Sequence, residues 1–393
     1  MNARHLLLEI LDAALRAVDG EARVAAALRE WGSRPVALCA IGKAAEAMTR
    51  GAYRAMGTQV QTALVITKDG HASSGLAKLP RLQMIESAHP VPDGRSLEAG
   101  KRLERWIASL PVDVHPVFLI SGGSSSLVEL LQPGVTLETL RELNRHGLAA
   151  GWDIRRLNRE RAKLSRLKSG GVSRLLGGRP AHALFLSDVP EDDPAVIGSG
   201  LLGPDPGGDD QVRRIVVASI EDAVRRAVDV AAAHGLEARL GAERFAGEAR
   251  EVALTFVEAL RQGGHELLVW GGESTVTLPP RAGRGGRNQH LALCAARALH
   301  AREDITILAV GTDGTDGPTP DAGAIVDAGT IGRAEIGGVD VERALRDFDS
   351  GLALEAAQDL VHTGPTGTNV GDLLIGIRGN ATRVRDPAMP RML

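Results

Sequence analysis

The sequence is poor in aromatic residues and in cysteine. Only 3% of its 393 residues are Phe, Trp or Tyr, and Tyr53 is the single tyrosine. Proteins that bind nucleic acid by stacking bases on aromatic side chains need more of them, so this class is disfavoured. The two cysteines, Cys39 and Cys294, are far apart and form no C-x-x-C pair. This argues against a disulfide framework or a thiolate zinc site and fits a reducing compartment.

Neither a strong net charge nor a long apolar run is present. The formal net charge is −3, so nothing attracts the chain electrostatically to nucleic acid or to an anionic membrane. No run approaches the roughly 18 apolar residues of a membrane-spanning helix. The first residues carry Glu9 and Asp12, where a signal peptide would have an uncharged core. We therefore expect a cytoplasmic protein that binds neither nucleic acid nor membrane.

Three common motifs of α/β enzymes are missing as well. Gly42-Lys43 is followed by Ala44, so the P-loop spacing G-x-x-x-x-G-K-[ST] is absent, and no G-x-G-x-x-G follows an apolar run. Ser124 stands in Gly-Gly-Ser-Ser-Ser and not in the G-x-S-x-G turn of α/β-hydrolases. These absences disfavour a P-loop ATPase, a nicotinamide-dependent reductase and a serine hydrolase.

What the sequence does contain is a repeated pattern of short apolar runs that end in loops of Gly, Ser, Thr and Asp. The five runs are 36–41, 117–120, 183–186, 267–270 and 305–310. Such runs are typical of strands buried on both faces of a parallel sheet. Ligands bind beyond the carboxyl ends of these strands, where small residues let backbone N–H groups approach an anion. The pattern indicates an enzyme that handles phosphate.

The order of predicted elements indicates two α/β domains, which suits the length of 393 residues. Strands and helices alternate through the first half, which predicts a doubly wound parallel sheet. One long, basic helical stretch is predicted over 136–176. The pattern restarts between residues 231 and 243, so we place the boundary at 238, with domains over 1–238 and 239–393. The second domain is the smaller α/β unit.

Nine motifs together resemble those of the glycerate 2-kinases that carry a C-terminal MOFRL domain, a family also labelled hydroxypyruvate reductases. The motifs lie at 41–45, 89–93, 121–125, 158–168, 187–194, 271–273, 283–289, 312–318 and 363–369. Four positions depart from the family pattern. Glu191, Leu201 and His290 stand where the family has Gly, Pro and Glu, and Ser169 interrupts a glycine pair. We expect these departures to affect the choice of acceptor more than the type of reaction.

The resemblance implies a Rossmann-like kinase domain over 1–238, a MOFRL-type domain over 239–393 and an active site in the cleft between them. It also implies that ATP and Mg²⁺ serve as cofactors and that glycerate is phosphorylated on its 2-hydroxyl to give 2-phosphoglycerate. The partners would be glycerate and the nucleotide, and the oligomeric state a monomer or a homodimer.

The motifs also carry the candidate site residues. Lys43 begins a helix after a strand and can reach a phosphate, Arg287 can bind carboxylate or phosphate bidentately, and Asp188 can orient or deprotonate a hydroxyl. The predicted phosphate-binding residues are Gly42, Gly122, Gly123, Ser124 and Asp313. A spacing of seven puts Arg161 and Lys168 on one helix face, and the resemblance implies that this face binds the acceptor. Asp188, Asp193 and Asp316 are candidate metal ligands, although aspartates in tight turns serve equally well as caps.

Three alternatives stay open from the sequence. A nicotinamide-dependent hydroxypyruvate reductase is a different reaction on the same acid, and the missing dinucleotide motif counts against it. A non-catalytic sensor could bind a sugar acid through the same loops. A kinase of a related hydroxy acid would need no change in mechanism.

Overall fold

The computed structural model describes residues 2–150, 152, 154–205 and 207–379. These residues form two compact units. We call the first, Asp19–Ser219 with Gly367–Val370, the parallel-sheet unit. The second comprises the described residues of Met1–Val18, Ile220–Thr366 and Gly371–Leu393 and is called the mixed-sheet unit. The compact units therefore change over at Ile220, whereas the functional domains 1–238 and 239–393 stay a prediction.

The parallel-sheet unit alternates strands and helices along most of its length. Its elements, labelled in chain order through both units, are α2 (Gly20–Ala27), β1 (Val36–Ile41), α3 (Ala45–Met56), β2 (Val60–Lys68), β3 (Leu82–Ser87), α4 (Gly94–Ala108), β4 (His115–Ile120), α5 (Ser124–Leu127), α6 (Leu137–Ala149), α7 (Ile154–Leu164), α8 (Gly171–Leu175), β5 (Ala181–Ser187) and β6 (Val212–Ser219). Helix α1 (Ala3–Ala17) belongs to the mixed-sheet unit, where it packs against α9.

The six strands of this unit form a sheet in the order β3-β2-β1-β4-β5-β6, and every pair is parallel. All residues of β1 and β4 are buried, because helices cover both faces of the sheet. This confirms the predicted doubly wound parallel sheet. The strand order reverses between β1 and β4, and ligands of such sheets bind outside the carboxyl ends of the strands at this switch point.

The predicted long helix over 136–176 is instead three helices, α6, α7 and α8. Helix α7 ends at Leu164, and the backbone of Ser169 (φ 51°) and Gly170 (φ 76°) is left-handed. Ser165 forms an isolated β-bridge with Leu131, and left-handed residues at 169 and 170 exclude a continuous helix into α8. Lys168 therefore lies beyond the helix that carries Arg161, and the prediction that the two share one helix face is wrong.

The mixed-sheet unit contains α1, β7 (Ala238–Leu240), β8 (Phe245–Glu248), β9 (Leu267–Thr275), β10 (Ile305–Gly311), β11 (Gly323–Asp327), β12 (Leu360–Val361), β13 (Asp372–Arg378) and the helices α9 (Ile220–Ala233), α10 (Ala249–Gln262), α11 (Arg287–Ala298), α12 (Thr330–Ile336), α13 (Val341–Arg346) and α14 (Ser350–Ala356). Its strand order is β12-β11-β10-β13-β9-β7, with β8 also paired to β9. Only the pairs of β9 with β7 and β8 are parallel. The apolar runs of β9 and β10 therefore belong to a mostly antiparallel sheet, contrary to the parallel sheet that their composition predicted.

Helices cover both faces of this sheet, which explains the apolar runs. A Cβ at Gly271 of β9 would meet Ile220 of α9 at 2.4 Å, and one at Gly376 of β13 would meet Leu260 of α10 at 2.4 Å. Gly271 is opposite Leu373 in the strand pair, so Gly271 and Gly376 face opposite sides of the sheet. Burial on both faces thus does not require parallel strands. In the described part of the chain, no helix combines the length and apolarity needed to span a bilayer.

Candidate active site

The loops after β1 and β4 contact each other at the switch point of the parallel sheet. The backbone N–H of Lys43 donates to Gly122 O at 3.0 Å, and that of Ala44 donates to Ser121 Oγ at 3.1 Å. A Cβ at Gly42, whose φ is 137°, would lie 2.1 Å from Ser121 Oγ. Glycine at position 42 is therefore required by this close approach. The structure brings together Gly42, Lys43 and Gly122, as the phosphate-site prediction needs.

Two side chains from distant motifs press on the same loop. A Cβ at Gly122 would lie 1.9 Å from Asp188 Oδ2 and 1.9 Å from Asn369 Nδ2, and Asn369 donates to Asp188 Oδ2 at 3.3 Å. Asp188 follows β5 directly, which places it at the carboxyl edge of the sheet. At Gly123 a Cβ would be 3.1 Å from His89 Nε2 and 3.2 Å from Lys43 Cγ. Glycine at positions 122 and 123 thus lets side chains from four segments of the chain approach the same loop. They are those of Lys43, His89, Asp188 and Asn369.

The predicted phosphate ligand Ser124 is placed less favourably. Its hydroxyl is fully buried, has no hydrogen-bond partner among the described residues, and lies where a Cβ of Gly198 would be 2.2 Å away. The candidate metal ligand Asp193 accepts a hydrogen bond from Ala195 N at 2.8 Å, as turn-capping aspartates do. The functional roles of both residues stay predictions.

A polar cavity of about 180 Å³ lies beside the Gly123 turn. It is lined by His89, Pro90, Pro92, Gly123, Ser125, Ser126, Glu129, Leu140, Asn144, Arg161 and Lys168. Arg161 and Lys168, predicted together as acceptor ligands, meet in this cavity although they are not on one helix. They converge because the turn after α7 folds back onto the segment that follows α5, where Arg166 N donates to Leu130 O.

Arg161 is a half-buried cation whose partners are neutral. Its Nε donates to Asn144 Oδ1 at 2.6 Å and its Nη1 donates to Asn158 Oδ1 at 3.3 Å. No carboxylate of the described residues forms an ion pair with it. Burial lowers the pKa of Arg161, and the nearby charge of Glu129 opposes this effect. A buried cation without a counter-ion favours binding of an anion.

Lys168 has a counter-ion, which the sequence analysis missed. Its Nζ lies 2.5 Å from Glu129 Oε2 and 3.1 Å from Ser125 O, and neither charged side chain is more than 2% exposed. Burial lowers the pKa of Lys168, whereas the charge and hydrogen bond of Glu129 raise it. The available signal was a single charge inside the apolar segment 127–131, because a buried charge needs a partner.

The remaining predicted site residues belong to the mixed-sheet unit. Arg287 begins α11, and its Nε and Nη2 donate to the two carboxylate oxygens of Asp372 at 2.6 and 2.9 Å. Its Nη1 lies 2.8 Å from Glu273 Oε1. Burial alone would lower the pKa of Arg287, but the fully buried Asp372 holds it well above its usual value.

Asp316 and Asp313 are engaged within their own loop. Asp316 accepts from the N–H groups of Asn288 and Gln289 at 3.1 and 2.7 Å, so its carboxylate occupies the N-terminus of α11. Burial raises the pKa of Asp316 to about 7. Asp313 accepts from Thr315 N at 2.9 Å. Within the described residues, no three His, Cys, Asp or Glu side chains are grouped so that they could hold a metal ion.

Of the four departures from the family pattern, two are buried and two have left-handed backbone. His290 is buried in α11 and stacks on Phe348, with ring centroids 4.4 Å apart, and burial lowers its pKa to about 4. Leu201 is fully buried in the core of the parallel-sheet unit. Glu191 (φ 63°) and Ser169 (φ 51°) have the left-handed backbone that glycine adopts most easily.

These features define a class: an α/β protein whose glycine loops and polar cavity lie at the switch point of a Rossmann-ordered sheet. Residues 6–231 match the family described as "Domain of unknown function (DUF4147)", and residues 266–372 match the "MOFRL family". The chain belongs to the family of glycerate 2-kinases that carry a C-terminal MOFRL domain, as its motifs indicated.

Relatives of known name support this assignment. The "D-glycerate 2-kinase" of Thermotoga maritima is 33% identical over 96% of this chain and 98% of its own length. A protein of Agrobacterium vitis named "Putative hydroxypyruvate reductase" is 34% identical over 84% of this chain and 96% of its own. The crystal structure of glycerate kinase from Thermotoga maritima superposes with a TM-score of 0.82 and 31% identity, covering 95% of this chain and 99% of that one.

Proposed function

We propose that this protein is a kinase that transfers a phosphoryl group from ATP, with Mg²⁺, to the 2-hydroxyl of D-glycerate. The product would be 2-phosphoglycerate. The observation that carries the proposal concerns Arg161, which has no carboxylate partner among the described residues. It lines a small polar cavity next to the glycine loops of the switch point. The names of the relatives supply the acid and the reaction.

The cavity suits the acceptor better than the nucleotide. Its volume of about 180 Å³ is below the roughly 300–1,000 Å³ of pockets that hold drug-sized ligands. A three- or four-carbon acid fits such a space, and a guanidinium without a counter-ion binds a carboxylate through charge-assisted hydrogen bonds. Arg161 is therefore the residue that we assign to the glycerate carboxylate.

The switch-point loops suit a phosphate. A Cβ would overlap other atoms at Gly42 and Gly122 and would crowd His89 at Gly123, so small residues keep backbone close to the proposed phosphate site. Lys43 adds a positive charge, and Asp188 supplies a carboxylate that can orient or deprotonate the hydroxyl. When bound, ATP supplies the phosphoryl group and Mg²⁺ neutralises its charge. Asp188 fits that metal, because Mg²⁺ in kinases needs only one or two protein carboxylates.

Several finer assignments stay predictions. They are the catalytic role of Arg287, the phosphate contacts of Ser124 and Asp313, the metal contacts of Asp193 and Asp316, and an active site between the two domains. A cytoplasmic location and a monomeric or homodimeric state are likewise predictions.

The first test is release of ADP from ATP and Mg²⁺ in the presence of D-glycerate. L-glycerate, hydroxypyruvate and no acceptor serve as controls, and NMR of the product identifies the phosphorylated carbon. We expect release to require D-glycerate. Lys43→Ala should lower kcat by about 10²–10³, the effect of removing one group that stabilises transition-state charge. Lys101→Ala, an exposed lysine of α4, should keep the normal rate. No release with any acceptor would contradict the proposal.

A second candidate is a hydroxypyruvate reductase. The strand order 3-2-1-4-5-6 is that of dinucleotide-binding sheets, and the Agrobacterium relative carries this name. Strand order alone does not decide function, and the loop after β1 lacks the G-x-G-x-x-G motif. Oxidation of NADH or NADPH by hydroxypyruvate, measured by absorbance, would favour this candidate over the kinase.

A further inference from the structure

Glu129 and Lys168 form a buried ion pair whose polar atoms have hydrogen-bond partners within the chain. Glu129 Oε1 accepts from the hydroxyl of Ser165 and from Leu130 N, and Oε2 accepts from Lys168 Nζ. Lys168 uses a further N–H on Ser125 O. Both carboxylate oxygens are therefore hydrogen-bonded, and the two buried charges cancel over 2.5 Å.

This pairing determines the net charge of the cavity. Among its lining residues the charged side chains are Arg161, Lys168 and Glu129, which sum to +1. Only Arg161, held by the neutral side chains of Asn144 and Asn158, has charge left for a ligand.

We infer that Glu129 is a specificity-determining residue, which cancels the charge of Lys168 so that the cavity selects monoanionic hydroxy acids and rejects dianionic ones. The inference rests on the proposed function, because it concerns the same acceptor site. A monocarboxylate leaves the half-buried cavity neutral. A dicarboxylate of the same size leaves one negative charge without a counter-ion, which is unfavourable in a partly desolvated site.

Lys168 then neutralises Glu129 and does not itself bind the acceptor. It holds the carbonyl of Ser125, whose hydroxyl contacts Ser199 Oγ at 2.6 Å, and it does not contribute its charge to the ligand. This differs from the direct acceptor contact that the sequence predicted. A direct contact of the Lys168 ammonium group with the acceptor can be separated from the effect of Lys168 on net charge by removing Lys168 and Glu129 together. This double change restores the original net charge of the cavity without restoring the ammonium group.

The test compares D-glycerate with tartronate, in which a second carboxylate replaces the CH₂OH group. Binding of each to the full-length protein is measured by calorimetry at pH 8. The wild type should bind glycerate at least about 10-fold more tightly, since an uncompensated charge at a buried pair costs more than this. Glu129→Gln should shift the ratio toward tartronate by at least about 10-fold, because the second carboxylate replaces Glu129 beside Lys168.

Two further variants separate charge from contact. Lys168→Met should weaken glycerate binding by about 10-fold or more, and the double variant Glu129→Gln/Lys168→Met should return to within about threefold of the wild type because its cavity again carries +1. A double variant as weak as Lys168→Met would overturn the inference, as would a wild type that binds both acids equally.

A matched control is Ser165→Ala, which removes a hydrogen bond to Glu129 without changing charge and should leave the ratio of affinities unchanged.

Thermal unfolding of each variant identifies any that fail to fold. The double variant has no unpaired buried charge, so it keeps the test decisive. Wild-type protein that binds no D-glycerate would contradict the proposed function itself. Glycerate binding without the charge dependence would contradict only the role of Glu129.

Discussion

Two arginines next to glycine-rich loops, one in each compact unit, have opposite electrostatic surroundings. Arg161 of the parallel-sheet unit is held by the amide oxygens of Asn144 and Asn158. Arg287 of the mixed-sheet unit is held by the carboxylates of Asp372 and Glu273. An arginine can bind an anion in either place, but only Arg161 lacks a carboxylate partner among the described residues. We propose that this difference makes Arg161 the arginine that binds the acceptor, while the catalytic role of Arg287 stays a prediction.

The anion-binding backbone of the two units differs in the same way. At the switch point of the parallel sheet, glycines leave room for side chains of other segments, such as Asp188 and Asn369 beside Gly122. In the mixed-sheet unit, the N-terminus of α11 is occupied by the chain's own Asp316. The N-terminus of α11 therefore stabilises a carboxylate of the chain itself, whereas we propose that the switch-point loops bind the phosphate of a ligand.

The largest expected effect is on stability and concerns Arg287. Arg287→Gln leaves the fully buried Asp372 without its ion-pair partner. We expect the free energy of unfolding to fall by about 3 kcal/mol, the lower end of the range for broken buried pairs because Arg287 is itself one-third exposed. Urea unfolding measures this. Arg297→Gln, an exposed arginine of the same helix, should change stability by less than about 1 kcal/mol. Equal losses of stability in the two variants would contradict the predicted importance of the buried ion pair of Arg287.

The matching change in the other unit should affect binding and not stability. Arg161→Gln should raise the KM for glycerate by about 100-fold, the equivalent of a lost hydrogen bond to a charged group. Its free energy of unfolding should change by about 1 kcal/mol or less, since its partners are neutral. Arg145→Gln on α6, where the side chain is 70% exposed, is the control. An unchanged KM would exclude Arg161 as the carboxylate ligand.

A third comparison uses one buried histidine from each unit. Burial lowers the pKa of both His115 and His290 to about 4, and for His115 the charges of His182, Arg34 and Arg179 add to the effect. The unfolded chain binds these protons near pH 6.5 and the folded chain does not, so stability should fall as the pH drops from 6.5 toward 4.

Each histidine can contribute at most about 1.4 kcal/mol per pH unit in this window. His115→Gln and His290→Gln should each flatten the dependence, measured by urea unfolding at pH 5 and pH 7. The exposed His300 provides a control, since His300→Gln should leave the slope as it is. A wild-type stability that does not change with pH would show that neither histidine is held neutral.

The smallest expected effect concerns the backbone next to Lys168. Ser169 is exposed and left-handed, with φ 51°. Ser169→Gly should raise the free energy of unfolding by about 0.5 kcal/mol, because glycine adopts this conformation without steric strain but loses more entropy on folding. Ser33→Gly, at an exposed position without a positive φ, should be neutral or destabilising. A loss of stability at Ser169 would indicate that its side chain stabilises the turn.

Much of the fold could be predicted, because a run of apolar residues indicates that the segment is buried. Strands β1, β4 and β5 and their parallel order follow from continuous runs between helices. Strand β3 (Leu82–Ser87) was missed because it is a half-exposed edge strand with polar residues. The direction of β9 and β10 was predicted wrongly, because an apolar run indicates two covered faces but not the direction of its neighbours.

The candidate site was predictable only in part, for a related reason. Arg161 and Lys168 do meet in one cavity, but through the turn after α7 and not along a helix face. Glu129 was not predicted, since its partner Lys168 is 39 residues away and only folding brings the charges together.

The sequence by itself determined which segments are buried, where the glycine loops follow them and to which family the chain belongs. These properties depend on local composition and on motifs that survive in linear order. The tertiary structure decided which cations have a counter-ion among the described residues. Counter-ions come from residues far apart in the chain, so the net charge of a site exists only once the chain has folded.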